Sequence, residues 1–368
     1  MRVLLLNQYF SPDQAPTGLL FGEIADELRA RGHEVICVSS GQEYRGGQRI
    51  AFRWLREAFA LVRMFLVGNW QRRVDLVVSG SSPPCLALVG ALVALRHWRP
   101  HLHWCMDLYP ELAVALREIP AGHFSAFIRW LMKMAYRSAH TVVVLDSDMS
   151  EQFRKYHIDT LECRPWVPGP VLATLPIPAP SPVPSPWIWL YSGNLGRAHD
   201  WQTLLAAQAE LESRGVDVML VFQGGGPQWD AAKTRATELG LRNIYWRNYV
   251  AQNQLCVSLL QAECLAATQF PIVRGLLWPS KLALMLGLPR PILFVGPQNG
   301  AIATLVKSRP RTGVFPPGDF AAVARWIEER RAESVPLQET DTTDVARHRR
   351  DSLAWWVNSI ERFQDGKR

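Results

Sequence analysis

Two short segments hold the side chains best suited to chemistry: Ser192-Gly193-Asn194-Leu195-Gly196-Arg197 and Pro279-Ser280-Lys281-Leu282. The first follows an apolar run at 187–191 and reads as a small, Gly-rich turn ending in a cation. The second sets Ser280 and Lys281 at the start of a helix-like apolar segment. A doubly wound sheet collects such turns at the carboxyl ends of its strands, where ligands bind. One Arg and one Lys beside backbone N–H groups at helix starts suit a diphosphate, so the ligand class they imply is a nucleotide diphosphate. Gly224-Gly225-Gly226-Pro227 is a third strand-to-helix turn. It reads either as a tight turn or as backbone kept bare for a nucleotide.

Three further places could carry chemistry. Gly18, after Pro16-Thr17, lies in the first strand-to-helix loop and could offer backbone to phosphates; equally, Thr17 could cap a helix beginning at Leu19. Asp107 and Glu111 flank Leu108-Tyr109-Pro110 at the end of a strand, where a carboxylate could orient or deprotonate a hydroxyl. The competing reading has Asp107 holding the loop and Pro110 opening a helix. Asp146-Ser147-Asp148 has the form of a metal-binding D-x-D, but its place between a strand and a helix makes a helix cap the sufficient explanation. No zinc spacing occurs, and the expectation is a site without metal or other cofactor.

The elements that must position these residues alternate. Strands are predicted over 3–6, 35–38, 75–78, 102–106 and 141–145, with helical segments at 20–31, 86–95 and 128–135 between them. Continuous apolar strands alternating with helices mean a parallel sheet covered on both faces. Nine of the 26 prolines fall between Pro165 and Pro186, which excludes helix or central strand there and marks a linker. The rhythm then resumes, with strands at 187–191, 218–222, 243–246, 264–267 and 292–295. Helices are expected over 203–213, 252–260, 281–286 and 320–330. A last helix over 344–363 should bury Leu353, Trp356, Val357 and Ile360. The expected domains are 1–164, a linker 165–186, 187–343, and a C-terminal helix and tail 344–368.

The 368 residues are enough for two α/β domains. The net charge of +7 suits an anionic partner, while the lack of a compact basic block argues against nucleic acid. Six scattered cysteines read as free thiols in a reducing compartment. Met1 to Leu6 reads as a strand rather than a leader, and the apolar stretch 85–95 is too short to span a bilayer. These features predict a cytoplasmic protein, able at most to sit on a membrane surface. Residues 45–73 hold seven arginines and one acid, Glu57, with Leu55, Phe59, Val62 and Phe65 or Leu66 on one helical face and Arg53, Arg56 and Arg63 off it. That segment is either a basic amphipathic helix lying on anionic lipid or a crossover helix covering the sheet.

As a set, these motifs resemble family-4 glycosyltransferases of the GT-B fold. The matching residues are Leu6 to Asp13 with Pro16-Thr17-Gly18, Arg31-Gly32-His33-Glu34-Val35, Met106 to Glu111, Tyr191 to Arg197, Gly224 to Pro227 and Pro279 to Leu282. The likeness is greatest to the bacterial branch that builds O-antigen, capsule and exopolysaccharide units. It implies two Rossmann-like domains facing a cleft, with the last helix crossing back to the first domain. It also implies metal-independent, usually retaining transfer of a hexosyl or N-acetylhexosaminyl group from a nucleotide sugar. The acceptor it implies is a polyprenyl-diphosphate-linked glycan on the inner face of the membrane. On this resemblance the donor would meet Thr17, Gly18, Asn194, Gly196, Arg197, Gly225, Gly226, Pro227, Ser280 and Lys281. Catalysis would fall to Asp107, Glu111, Arg197 and Lys281. Many relatives carry two glutamates where this chain has Leu276 and Leu284. That departure keeps open an inactive partner subunit of the same fold, beside a nucleotide-sugar epimerase.

Overall fold

The computed structural model describes residues 1–11, 13, 15–41, 53–174, 186–333 and 343–364. The start of the arginine-rich segment (45–52), half of the Pro-rich linker (175–185) and the tail 365–368 lie outside the described residues. The chain forms two compact units. One is Met1–Pro168 with Gly275–Trp278 and Arg347–Arg368; the other is Gly169–Arg274 with Pro279–Ala346.

The first unit runs β1 (Arg2–Leu6), α1 (Pro16–Ala30), β2 (Glu34–Val38), α2 (Arg53–Trp70), β3 (Leu76–Ser79), α3 (Leu86–His97) and β4 (His101–Trp104). It continues with α4 (Glu111–Ala115), α5 (His123–Ser138), β5 (Thr141–Val144), α6 (Ser147–Arg154) and β6 (Thr160–Glu162). The strands form one parallel sheet in the order β2-β1-β3-β4-β5-β6. Val3 to Leu6 are wholly buried, as a central strand covered on both faces requires. The chain steps one way from β1 to β2 and the other way from β2 through β5. Right-handed crossovers therefore place α1 on one face and α2, α3 and α5 together on the other.

Helix α2 is a crossover helix, packing Ala60 and Met64 inward beside α3 and the sheet. Its Leu55, Phe59, Val62 and Leu66 stripe nevertheless stands exposed. The two readings of this segment are thus not exclusive.

The second unit runs α7 (Gly169–Leu172), β7 (Trp187–Asn194), α8 (Gln202–Ser213), β8 (Val218–Gly225), α9 (Trp229–Glu238), β9 (Ile244–Arg247) and α10 (Gln252–Leu260). Helix α7 corrects the expectation of no helix between Pro165 and Pro186: it is a single turn, and Pro170 is tolerated in a first turn, where its missing N–H has no partner to lose. After α10 come β10 (Cys264–Thr268), α11 (Lys281–Met285), β11 (Ile292–Val295), α12 (Ala301–Lys307), β12 (Thr312–Phe315) and α13 (Phe320–Ala332). Its parallel sheet is ordered β12-β11-β10-β7-β8-β9 around a core that includes Trp189, Tyr191, Phe222 and Leu293. Helix α14 (Thr343–Glu361) follows. From Arg347 onward it belongs to the first unit. There Trp356 packs 4.6 Å from Trp104, and Arg349 pairs with Glu23 on α1 at 3.1 Å. Leu353, Trp356, Val357 and Ile360 are buried, as their spacing predicts.

Candidate active site

In the second unit the strand order reverses at β7, which lies between β10 and β8. The crevice at the carboxyl ends of strands at such a reversal is where doubly wound sheets take ligands. The sequence predicts that β7 and β8 end at Tyr191 and Phe222. Both run on, and Gly193 pairs with Gly224 and Asn194 with Gly225. The reason is the glycines. Gly193 and Gly224 have φ of +128° and +138°, and a Cβ on Gly224 would stand 2.2 Å from the Gly193 carbonyl oxygen. No side chain fits between the two strands.

The chain then turns, with Leu195 N–H donating to the Gly225 carbonyl (2.7 Å) and Gln228 N–H to the Leu195 carbonyl (3.1 Å). A Cβ on Gly226 would lie 2.3 Å from Asn194 Oδ1. Gly224 and Gly226 are therefore demanded by backbone packing, whereas Gly196 and Gly225 are less constrained and leave their backbone accessible.

Lys281 opens the short helix α11. Its Nζ lies 3.4 Å from the centre of the Tyr191 ring, sealed from solvent and without a hydrogen-bond partner among the described residues. Burial holds its pKa well below the ordinary 10.5. Gly193 leaves room for it, since a Cβ there would fall 3.3 Å from Lys281 Cε. The aromatic face repays part of the lost hydration of the ammonium; no side chain among the described residues repays the rest. Beside it, His199 donates from Nδ1 to the Thr268 carbonyl at 2.7 Å. Burial, and then the Lys281 charge, hold His199 neutral with its pKa lowered to about 3.

Arg197 lies between strand and helix rather than at a helix start, because α8 begins at Gln202. It is exposed, as are Asn194, Gly226, Pro227 and Ser280. Sequence reasoning missed His199 and Tyr191. The only signals were their places two residues beyond Arg197 and two before Gly193. It also missed Arg247 at the end of β9, whose Nε is buried without a partner.

The other predicted residues belong to the first unit. Helix α1 begins at Pro16 with Ala15 as its N-cap, so Thr17 lies inside the first turn and caps nothing. Gly18 is buried, and a Cβ there would sit 3.0 Å from the Tyr9 carbonyl oxygen. At the end of β4, the Met106 and Asp107 N–H groups both donate to Ser81 Oγ at 3.0 Å. Asp107 also forms a bridge with Leu277. Desolvation pushes the Asp107 carboxyl up to about 6, the range of a base working near neutral pH.

Glu111 is engaged by two side chains. Its Oε1 accepts from Arg129 Nε at 2.9 Å and from the Tyr156 hydroxyl, tying α4 to α5 and to the end of α6. Asp146 is the N-cap of α6, accepting from Met149 N–H at 2.9 Å. Leu276 belongs to the first unit and Leu284 to the second, and both are buried.

Comparison with known proteins agrees with this geometry. Residues 20–169 match the model of Glycosyltransferase Family 4. The probable glycosyltransferase WbjE of Pseudomonas aeruginosa is 24% identical, over 89% of each chain. Among solved structures, WaaG, a glycosyltransferase of lipopolysaccharide biosynthesis, aligns with a TM-score of 0.63 at 15% identity, covering 97% of this chain and 95% of that one. HepE from Anabaena, solved with UDP, aligns with a TM-score of 0.60 at 14% identity over the whole of both chains. With two doubly wound sheets and a ligand crevice at the strand reversal of the second, the chain is a glycosyltransferase of the GT-B fold carrying the family-4 sequence over residues 20–169.

Proposed function

We propose that this enzyme moves a hexosyl or N-acetylhexosaminyl group from a nucleoside-diphosphate sugar to a polyprenyl-diphosphate-linked glycan in cell-envelope polysaccharide synthesis. In this reading transfer retains the anomeric configuration and needs no metal, and the enzyme works on the inner face of the membrane. The observation that carries it is the sealed, partnerless ammonium of Lys281 at the carboxyl end of the β7–β8 pair. A diphosphate there supplies the missing anion. As the sugar–phosphate bond breaks, charge grows on the diphosphate, and a fixed cation stabilises that change selectively. Arg197, exposed on the next turn, adds a second cation. Asp107 orients or takes the proton of the acceptor hydroxyl. WaaG supports the setting in envelope-polysaccharide synthesis, and the UDP-bound HepE supports the donor class.

Calorimetric titration with UDP at pH 8 tests the donor half. Lys281 has a depressed pKa in the free protein, and the bound anion raises it, so binding takes up protons and affinity falls as pH rises between the two values. The observed enthalpy should therefore differ between phosphate and Tris buffers, and the difference should vanish in Lys281→Met. The two buried leucines, Leu276 and Leu284, favour a second reading, the inactive partner subunit. Absence of heat with UDP and with every other nucleoside diphosphate would establish it. Metal independence has its own check. Transfer should proceed at an unchanged rate in excess EDTA, and loss of activity restored by magnesium or manganese would overturn it.

A further inference from the structure

We infer that α2, α3 and α5 together form one docking platform for an anionic lipid bilayer, in place of a single basic helix. The inference rests on the lipid-linked acceptor proposed above. The three helices are one layer of the first unit, placed there by the crossover rule, with α3 packed against both neighbours. Nineteen large apolar side chains stand exposed among the described residues. Six belong to α2, three to α3 and its cap Trp98, and four to α5. On α5 they are Phe124, Phe127, Trp130 and Met134, a single stripe at helical spacing. Exposed apolar area on this scale marks an interaction surface. Four of the residues are tryptophans, the side chain that favours the membrane–water interface. Trp98 is 86% exposed in a left-handed conformation (φ 53°) that glycine would hold without strain.

Charge selects the occupant. The three helices contain one carboxylate, Glu57, and it is buried. Arg63, Arg96 and Arg137 are exposed on them, and Arg72, Arg73 and Arg99 are exposed just beyond their ends. A second copy of this chain would bring one basic rim against another, whereas an anionic headgroup layer neutralises it. No helix among the described residues is long and apolar enough to cross a membrane, so contact would be lateral.

Full-length protein is tested by co-sedimentation with phosphatidylcholine vesicles, alone or with about one-third phosphatidylglycerol. Wild type should pellet only with the anionic vesicles, and less so as salt rises. The variant Phe124→Ser/Phe127→Ser/Trp130→Ser should bind them at least tenfold more weakly, as should Phe59→Ser/Leu66→Ser. Both should keep wild-type UDP affinity, circular dichroism and transfer to a short-chain soluble acceptor. The platform is overturned if wild type stays in the supernatant at low salt, or if the α5 variant binds as wild type does. It is equally overturned if the protein is a dimer that the α5 variant converts to monomer, or if it binds an acidic protein through this face but no vesicle. Vesicle binding without any nucleotide binding would sink the glycosyl-transfer reading and leave the platform standing.

Discussion

Lys281→Met should lower kcat by about 10²- to 10³-fold, the cost of removing one fixed stabiliser of developing charge, and should melt at a higher temperature than the wild type. The two effects have one origin. The ammonium is sealed over the Tyr191 ring with no hydrogen-bond partner among the described residues. It is a burden on the folded protein until a diphosphate arrives. Methionine fills the same space and keeps contact with the ring but carries no charge. The stability gain has a defined pH dependence. Because burial lowers the lysine pKa, the wild-type penalty is complete at low pH and shrinks as pH rises towards the ordinary value of 10.5. The melting curves of variant and wild type should therefore converge at alkaline pH. A variant that turns over normally removes Lys281 from the chemistry. One that is inactive but melts lower makes it a structural residue instead.

The second large effect belongs to a residue with no side chain. Gly224→Ala should destabilise the second unit by about 3 kcal/mol or more and abolish UDP binding. The new Cβ meets the Gly193 carbonyl oxygen at 2.2 Å on the paired strand, at a φ of +138°. Relief requires the strands to part, which shifts Gly193 from beneath Lys281 and breaks the Leu195–Gly225 hydrogen bond. Gly240→Ala is the control. Its φ is also positive (+67°), but nothing lies within 4 Å of the new atom, so its cost should stay near 1 kcal/mol. Scanning calorimetry and UDP titration of both variants check the contrast. Equal, small losses would show that the β7–β8 approach can relax and that Gly224 is not what holds the site's geometry.

Both parallel sheets were legible along the chain, because buried strands and amphipathic helices write local, periodic patterns. The glycine-rich turns at the strand ends were visible too, since glycine, proline and a lone cation stand out against an apolar run. Shorter elements were invisible. Neither β6 nor β12 was expected; Thr160–Glu162 and Thr312–Phe315 are too brief, and the latter contains Gly313, to carry a period. What each charged group is free to do depends on contacts made in the folded chain. Glu111 and Asp107 look alike along the chain, yet Arg129 and Tyr156 engage one while burial raises the pKa of the other. The glycines of β7 and β8 look like turn residues until the two strands are laid side by side. Lys281 reads as a helix-start cation, but its idle charge depends on an aromatic ring contributed by a distant strand. Likewise α2 advertised one apolar stripe, and only the right-handed crossovers set α3 and α5 beside it. Protonation, pairing and exposure are properties of neighbours in space, and in a doubly wound sheet those neighbours come from strands and helices far apart in the chain.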